Sequence, residues 1–285
     1  MIIIGSSTAD KASRNIAKMV IDLYDFKQTD EVFSDHHVLS SKIDNKEVKL
    51  VTFDGSIVQD HKISDLYNVE LLIFISRHSS KSGIPTLTVH TPGNLGDAKL
   101  GGKLRTVSIA PANAMRNALI EMECQKRRLK LDEFSVLYES THHGPSLDVP
   151  TMFIEVGSSV KQWNNLVAAE AVAHSAISAI RGLSNCEGVI GIGGPHYNEK
   201  FTRMSLKQKV AFGHIIPKYA IPYIDECIIT QCVKRTVEEV SRAIFDWKGI
   251  SSSHRRRIAD ICQQNGIEVI KTKNFRSKFF RCSFD

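Results

Sequence analysis

Short apolar runs bounded by polar, glycine- and proline-rich stretches recur along the chain, with a few longer segments of helical period between them. Met1–Gly5 (MIIIG) reads as a strand, and Ser6-Ser7-Thr8 as the cap of a helix over about Asp10–Tyr24 with Ile16, Met19, Val20 and Leu23 on one face. Leu50–Phe53 and Leu71–Ser76 (LLIFIS) are further strands, the second apolar throughout, as a central strand of a parallel sheet would be. Thr86–His90 alternates and leads into a loop over Thr91–Gly102, and Thr106–Ala110 is a strand before a Pro111-led helix, Ala112–Lys130. Phe134–Tyr138 and Thr151–Val156 flank a polar loop, Ser158–Arg181 is one long helix, and Gly188–Ile192 is a strand that breaks into Gly193-Gly194-Pro195. Beyond it, short helices and strands mix. This alternation predicts a three-layer α/β/α fold around a mixed, largely parallel sheet, as one domain over 1–270 with a basic tail over 271–285.

Composition narrows the class. At 285 residues with 42% apolar and 24% charged content, the chain buries a proper core and is not disordered. No window approaches a membrane span and no basic region precedes the first strand, so the expectation is a cytoplasmic, membrane-free protein, taken as a monomer. Six cysteines without a CxxC pair suggest reduced thiols rather than a zinc knuckle. Charge is uneven: residues 200–285 carry 17 Lys and Arg against 8 Asp and Glu, and the rest of the chain is slightly acidic. A basic C-terminal third invites a polyanion such as nucleic acid, the plain alternative being a solvated surface.

The chemistry concentrates at element boundaries. Glu139-Ser-Thr-His142-His143-Gly-Pro joins two strands, the second carrying Glu155 among apolar neighbours. Neutral imidazoles ligate metals or move protons near pH 7, and a half-buried carboxylate orients either one. Arg77-His78-Ser79 follows LLIFIS, where a parallel sheet binds ligands beyond its strand ends. His90 ends TLTVH, and His214 follows Gly213. Each island alone is an ordinary polar turn; five of them with histidines point to convergence on one site. In the helix over 158–181, the spacing puts Glu170 and His174 within the arc of Trp163, Leu166, Val167 and Ile177, so this i,i+4 pair is expected either to close a polar gap in the core or to border the site.

Gly191-Ile-Gly193-Gly194-Pro-His196-Tyr197 lacks the lysine of a P-loop and the spacing of a dinucleotide fingerprint. Its glycines would let backbone N–H groups reach an oxyanion, with His196 and Tyr197 as catalytic imidazole and phenol. Two chemistries stay open: a metal held by His142, His143 or His196 with Glu155 or Glu170, or a histidine acting as general base on water. No GxSxG elbow marks a serine nucleophile.

The stretches RHSSKSGIPTLTVHTPGN (77–94), ESTHHGPSLDVPTMFIEVGSS (139–159), WNNLVAAEAVAHSAI (163–177) and GIGGPHYNEKFT (191–202), with DWKGI (246–250), resemble the archaeal and plant type of D-aminoacyl-tRNA deacylase. The resemblance runs collinearly to about residue 270. It implies a phosphorylase/peptidyl-tRNA-hydrolase-like fold, a zinc cofactor, and hydrolysis of the ester joining a D-amino acid to the terminal ribose of tRNA. It marks Arg77, His78, Ser79, His90, Thr141, His142, His143, Glu155, Glu170, His174, His196 and Tyr197. Pro195 departs from the pattern where a smaller residue is usual, and the segment after Ile270 has no counterpart. The competing readings are a peptidyl-tRNA hydrolase or nucleoside phosphorylase of the same architecture, and a non-catalytic tRNA-binding protein.

Overall fold

The computed structural model describes residues 1–59, 68–182 and 185–276. In chain order its elements are β1 (Ile2–Ser7), α1 (Lys11–Leu23), β2 (Lys27–Phe33), β3 (His36–Ile43), β4 (Lys46–Phe53), β5 (Leu71–Arg77), β6 (Thr86–His90), α2 (Ala112–Arg128), β7 (Ser135–Tyr138), β8 (Thr151–Gly157), α3 (Val160–Trp163), α4 (Leu166–Arg181), β9 (Glu187–Gly193), α5 (Glu199–Lys207), β10 (Val210–Ile216), α6 (Glu226–Lys234), β11 (Val240–Asp246), α7 (Ser252–Gln264) and β12 (Glu268–Lys271). They form a three-layer α/β fold with a mixed, largely parallel sheet. One sheet has the order β2-β3-β4-β1-β5-β8-β6-β7, and a second, wholly parallel one the order β10-β9-β11-β12. Helices α1 and α2 each pack on α4 and together they cover one face of the larger sheet, where Ile4, Ile73, Ile75 and Ile154 anchor the main core.

The apolar run of β5 is central, between β1 and β8, and Leu71–Ser76 is buried throughout. Parallel pairing leaves such a strand with two covered faces, hence no alternation. β6 runs antiparallel to β8 and parallel to β7, so the larger sheet reverses direction at its β7 end. That reversal sets His90 opposite Phe153, two residues before Glu155, while Ser76 on the other side pairs with Glu155 directly.

Several expectations are corrected. Helix α1 is capped by Asp10, whose carboxylate accepts from the Ser13 amide at 3.0 Å, whereas Ser6 and Ser7 belong to β1. Leu23 is exposed. Strands β2 and β3 escaped notice because they are polar and largely exposed; two-residue turns with positive φ at Ser34-Asp35 and Asp44-Asn45 make them hairpins. Thr106–Ala110 is not a strand: Val107, Ile109 and Ala110 make only isolated bridges. The helix over 158–181 is two helices, divided because Asn165 accepts from the amides of Val167 and Ala168 and starts α4 afresh. Helix α4 buries a face of Ala168, Val172, Ala176 and Ile177, leaving Leu166 and Val167 exposed; of the stripe expected to point inward only Ile177 and part of Trp163 do, while Glu170 and His174 lie on the partly exposed side. Close approach of α2 and α4 requires that alanine face. At the C-terminal end β12 continues to Lys271 and Phe275 is buried; residues 277–285 of the expected tail lie outside the described residues.

Candidate active site

The mixed direction of the larger sheet brings four strand ends together. Glu155 on β8 and Glu139, the residue after β7, are both buried. His78, just beyond β5, places Nδ1 3.0 Å from Glu139 Oε1 and 3.4 Å from Glu155 Oε2. His90, the last residue of β6, is buried with Nε2 3.6 Å from Glu155 Oε2. Ser76 donates its hydroxyl to Glu155 at 2.6 Å. The second sheet adds His196, two residues past Gly194, whose Nε2 donates to Glu139 Oε2 at 2.8 Å. The neighbouring Tyr197 hydroxyl hydrogen-bonds His78 Nε2.

Carboxylates buried this deeply stay ionised only when paired. Burial alone would raise Glu139, but His196, His78 and His142 hold it well below the usual carboxylate range. Glu155 is likewise lowered by His78 and His90 against the pull of burial. The partners move in the opposite sense. Burial disfavours an imidazolium at His78, yet the two carboxylates win and push it up to about 11; His90 is raised for the same reason by Glu155.

His142 and His143 follow the other rule. Burial and the charge of His90 keep His142 well below its ordinary value and His143 down at about 4, so both are neutral near pH 7. His142 Nδ1 lies 2.9 Å from the carbonyl of Ser140, and His143 Nδ1 lies 2.6 Å from that of Gly144. A carbonyl only accepts, so each Nδ1 carries the hydrogen and each Nε2 keeps its lone pair. His143 adopts φ +42°, a left-handed conformation costly for a side-chain-bearing residue, which turns its ring onto this cluster. The His142 and His143 rings lie 4.2 Å apart between centroids, and His90 faces both, at 4.3 Å from His142 and 4.9 Å from His143.

Three sets of donors are close enough to share an ion, with ligand atoms within 4.8 Å of one another: His90, His142 and His143; Glu139, His142 and His196; and His78, Glu139 and Glu155. His90 Nε2, 3.6 Å from Glu155, is buried without a hydrogen bond among the described residues. Nitrogen and carboxylate donors with neutral imidazoles pinned by backbone carbonyls fit zinc.

His142 and His143 stand between two cavities. One, of about 700 Å³, is lined chiefly by Leu95, Leu104, Arg105, Tyr219 and Tyr223; the other, of about 460 Å³, by Asp10, Ser56, Arg77, Ser79 and Glu155. His196 borders the second and reaches Tyr219 of the first, its Nδ1 3.3 Å from that hydroxyl. Because Nε2 gives its hydrogen to Glu139, Nδ1 holds the lone pair. Ser140 Oγ, 2.9 Å away, donates to it; the serine is fully buried and orients the ring rather than attacking a substrate.

The structure therefore gathers His78, His90, His142, His143, Glu155, His196 and Tyr197, with Ser79 and Thr141 on the cavity walls. Arg77 stacks over Trp163 at 5.1 Å at the rim. Glu170 and His174 are elsewhere, on the partly exposed side of α4, where Glu170 pairs with Arg128 and His174 with Tyr24. Gly193 and Gly194 line neither cavity: with φ of 103° and 78°, a side chain on them would collide with the Asp246 carbonyl and with Asn198, so packing rather than ligand approach explains these glycines. His214 lines neither cavity; it is buried behind Thr141 of the larger one's wall, bonded to that residue and to the Arg235 carbonyl. The residue that sequence reasoning missed is Glu139. Its signal was an i,i+3 spacing to His142 directly after an apolar strand.

A family model described as D-aminoacyl-tRNA deacylase matches residues 66–270. The chain belongs to that family. It is 37% identical to the D-aminoacyl-tRNA deacylase of Pyrococcus abyssi over 279 residues, covering 95% of this chain and 100% of the relative. The enzyme of the same name from Methanosarcina acetivorans is 33% identical, with 96% and 93% covered. A crystal structure described as a conserved protein of unknown function superposes with a TM-score of 0.88 at 29% identity, covering 98% of each chain. Among the described residues no helix is long and apolar enough to cross a membrane.

Proposed function

We propose that this chain hydrolyses the ester between a D-amino acid and the terminal ribose of tRNA, releasing both. The observation that carries this reading is the Glu139–His196 pair beside the neutral His142 and His143, at the junction of the two cavities. Glu139 fixes the tautomer of His196; when attacking water replaces the Ser140 hydroxyl as donor to Nδ1, that lone pair takes a proton from the water and returns it to the departing ribose oxygen. Tyr197 accepts from His78 Nε2–H, which leaves its own hydroxyl hydrogen free to donate to the oxyanion of the tetrahedral intermediate.

Zinc fits this reading better than does a lone general base at His142 or His143, since imidazoles that burial holds well below their ordinary value are weak bases but ready ligands. His90, His142 and His143 would hold it, His90 giving up its proton to do so, which leaves Glu139 and His196 to handle the water. There it would supply a Lewis acid that polarises the ester carbonyl and acidifies a bound water. A tRNA substrate supports a cytoplasmic protein, and donors drawn from a single chain suit a monomer.

The test is deacylation of matched D- and L-tyrosyl-tRNA before and after chelation. Rapid loss of the D-amino acid alone, abolished by chelator and restored by zinc, is expected. Intact D-tyrosyl-tRNA in the presence of protein that binds it would leave a non-catalytic tRNA-binding protein instead.

A further inference from the structure

The motif Asp246-Trp247-Lys248-Gly249-Ile250 takes no part in the site described, yet it forms a built surface of its own. Strand β11 ends at Asp246, which pairs with Gly193 of β9, three residues before His196. Beyond that edge lies a concavity of about 590 Å³ walled by Trp247, Lys248, Arg255, Lys271 and Lys273. Arg255 and Lys271 both sit over the Trp247 ring, at 5.3 and 5.2 Å from its centroid. The one carboxylate in the wall, Asp246, is taken by Lys200 at 2.5 Å. Lys248, Arg255, Lys271 and Lys273 have no carboxylate within ion-pair distance among the described residues. Trp247 Nε1 and Arg255 Nε are buried donors without an acceptor there.

Several cations drawn together around one indole repel each other, and cation–π attraction to the ring offsets this only in part. A solvated surface would spread them apart. The concavity also connects to the active site through Lys218: its amide donates to the Gly194 carbonyl at 2.9 Å, its side chain approaches Gly249, and the next residue, Tyr219, walls the larger active-site cavity.

We infer that this basic, tryptophan-floored concavity binds the phosphodiester backbone of the RNA strand leading away from the aminoacylated end, with Lys218 bridging to the site of hydrolysis. The inference rests on the tRNA reading above. Phosphates neutralise the unpaired cations, and the indole offers a face on which a base or ribose can lie.

Binding of uncharged tRNA, measured over a range of salt by filter retention, tests it without any dependence on catalysis. Lys271 and Lys273 are both exposed, so a Lys271→Gln/Lys273→Gln variant keeps the fold. It should bind about tenfold more weakly at low salt, and the slope of log affinity against log salt should be shallower by about 1 to 2. A Lys18→Gln/Lys42→Gln variant, which removes two exposed charges elsewhere, should stay within about twofold of the parent. Unchanged affinity and slope in the first variant, or an equal loss in the second, overturns the inference; if the parent still deacylates D-tyrosyl-tRNA, only the inference falls. A parent that neither binds nor deacylates tRNA ends both.

Discussion

The molecule contains two Glu–His arrangements that look alike on paper and behave differently in space. At the strand ends, Glu139 and Glu155 are almost without exposure, share four histidines and leave His90 Nε2 without a hydrogen bond. On α4, Glu170 and His174 are each more than a fifth exposed, lie 3.7 Å apart, and are already engaged by Arg128 and Tyr24. Burial makes the difference. In the first region desolvation forces every charge to find a partner and fixes protonation states far from their ordinary values; in the second, water and a spare arginine absorb the same charges. A reactive site therefore shows itself by unsatisfied, desolvated donors rather than by residue type or helical spacing.

The comparison can be sharpened or broken by substitution. Glu139→Gln should have the largest effect, lowering single-turnover deacylation by about 10²- to 10⁴-fold through loss of the His196 tautomer, and costing about 3–5 kcal/mol in urea unfolding because His78 is left short of a counter-charge. Retention of near-parental turnover would remove Glu139 from the mechanism.

A middle-sized effect concerns His214, a buried imidazole outside the site and lowered to about 4 by burial. Its folded value lies below the unfolded value of about 6.5, so as pH falls from 6.5 towards 4 the unfolded chain takes up a proton that the folded chain refuses, and stability is lost; above 6.5 neither state is protonated and there is no effect. His214→Asn should flatten this acid limb, with the stability lost between pH 6.5 and 5 smaller by about 2 kcal/mol than in the parent. Parallel pH profiles for the two proteins would contradict the assignment.

The smallest effect belongs to α4. Glu170→Gln and His174→Gln should each leave deacylation within about twofold and shift unfolding by about 1 kcal/mol or less, as expected of half-exposed ion pairs. A tenfold fall in activity from either would mean that the two regions are coupled.

The amino-acid sequence by itself determined the class of fold, the central place of LLIFIS and the histidine-bearing strand ends, because apolar periodicity and glycine or proline breaks act over a few residues and are written locally. It also carried the family, through signatures long enough to be read in order. What it left to the tertiary structure was partnership. The reversal of β6 and β7 against β8, which no local pattern encodes, sets His90 beside Glu155 and brings Glu139 to His78 and His196. The break at Asn165 and the alanine face of α4 decided that Glu170 and His174 look outward, since helical spacing gives the relative positions of side chains but not the direction of the core. Gly193 and Gly194 show the same limit: positive φ was legible as a need for glycine, whereas the atom that comes close, a protein carbonyl rather than a ligand, is fixed only when distant strands pack.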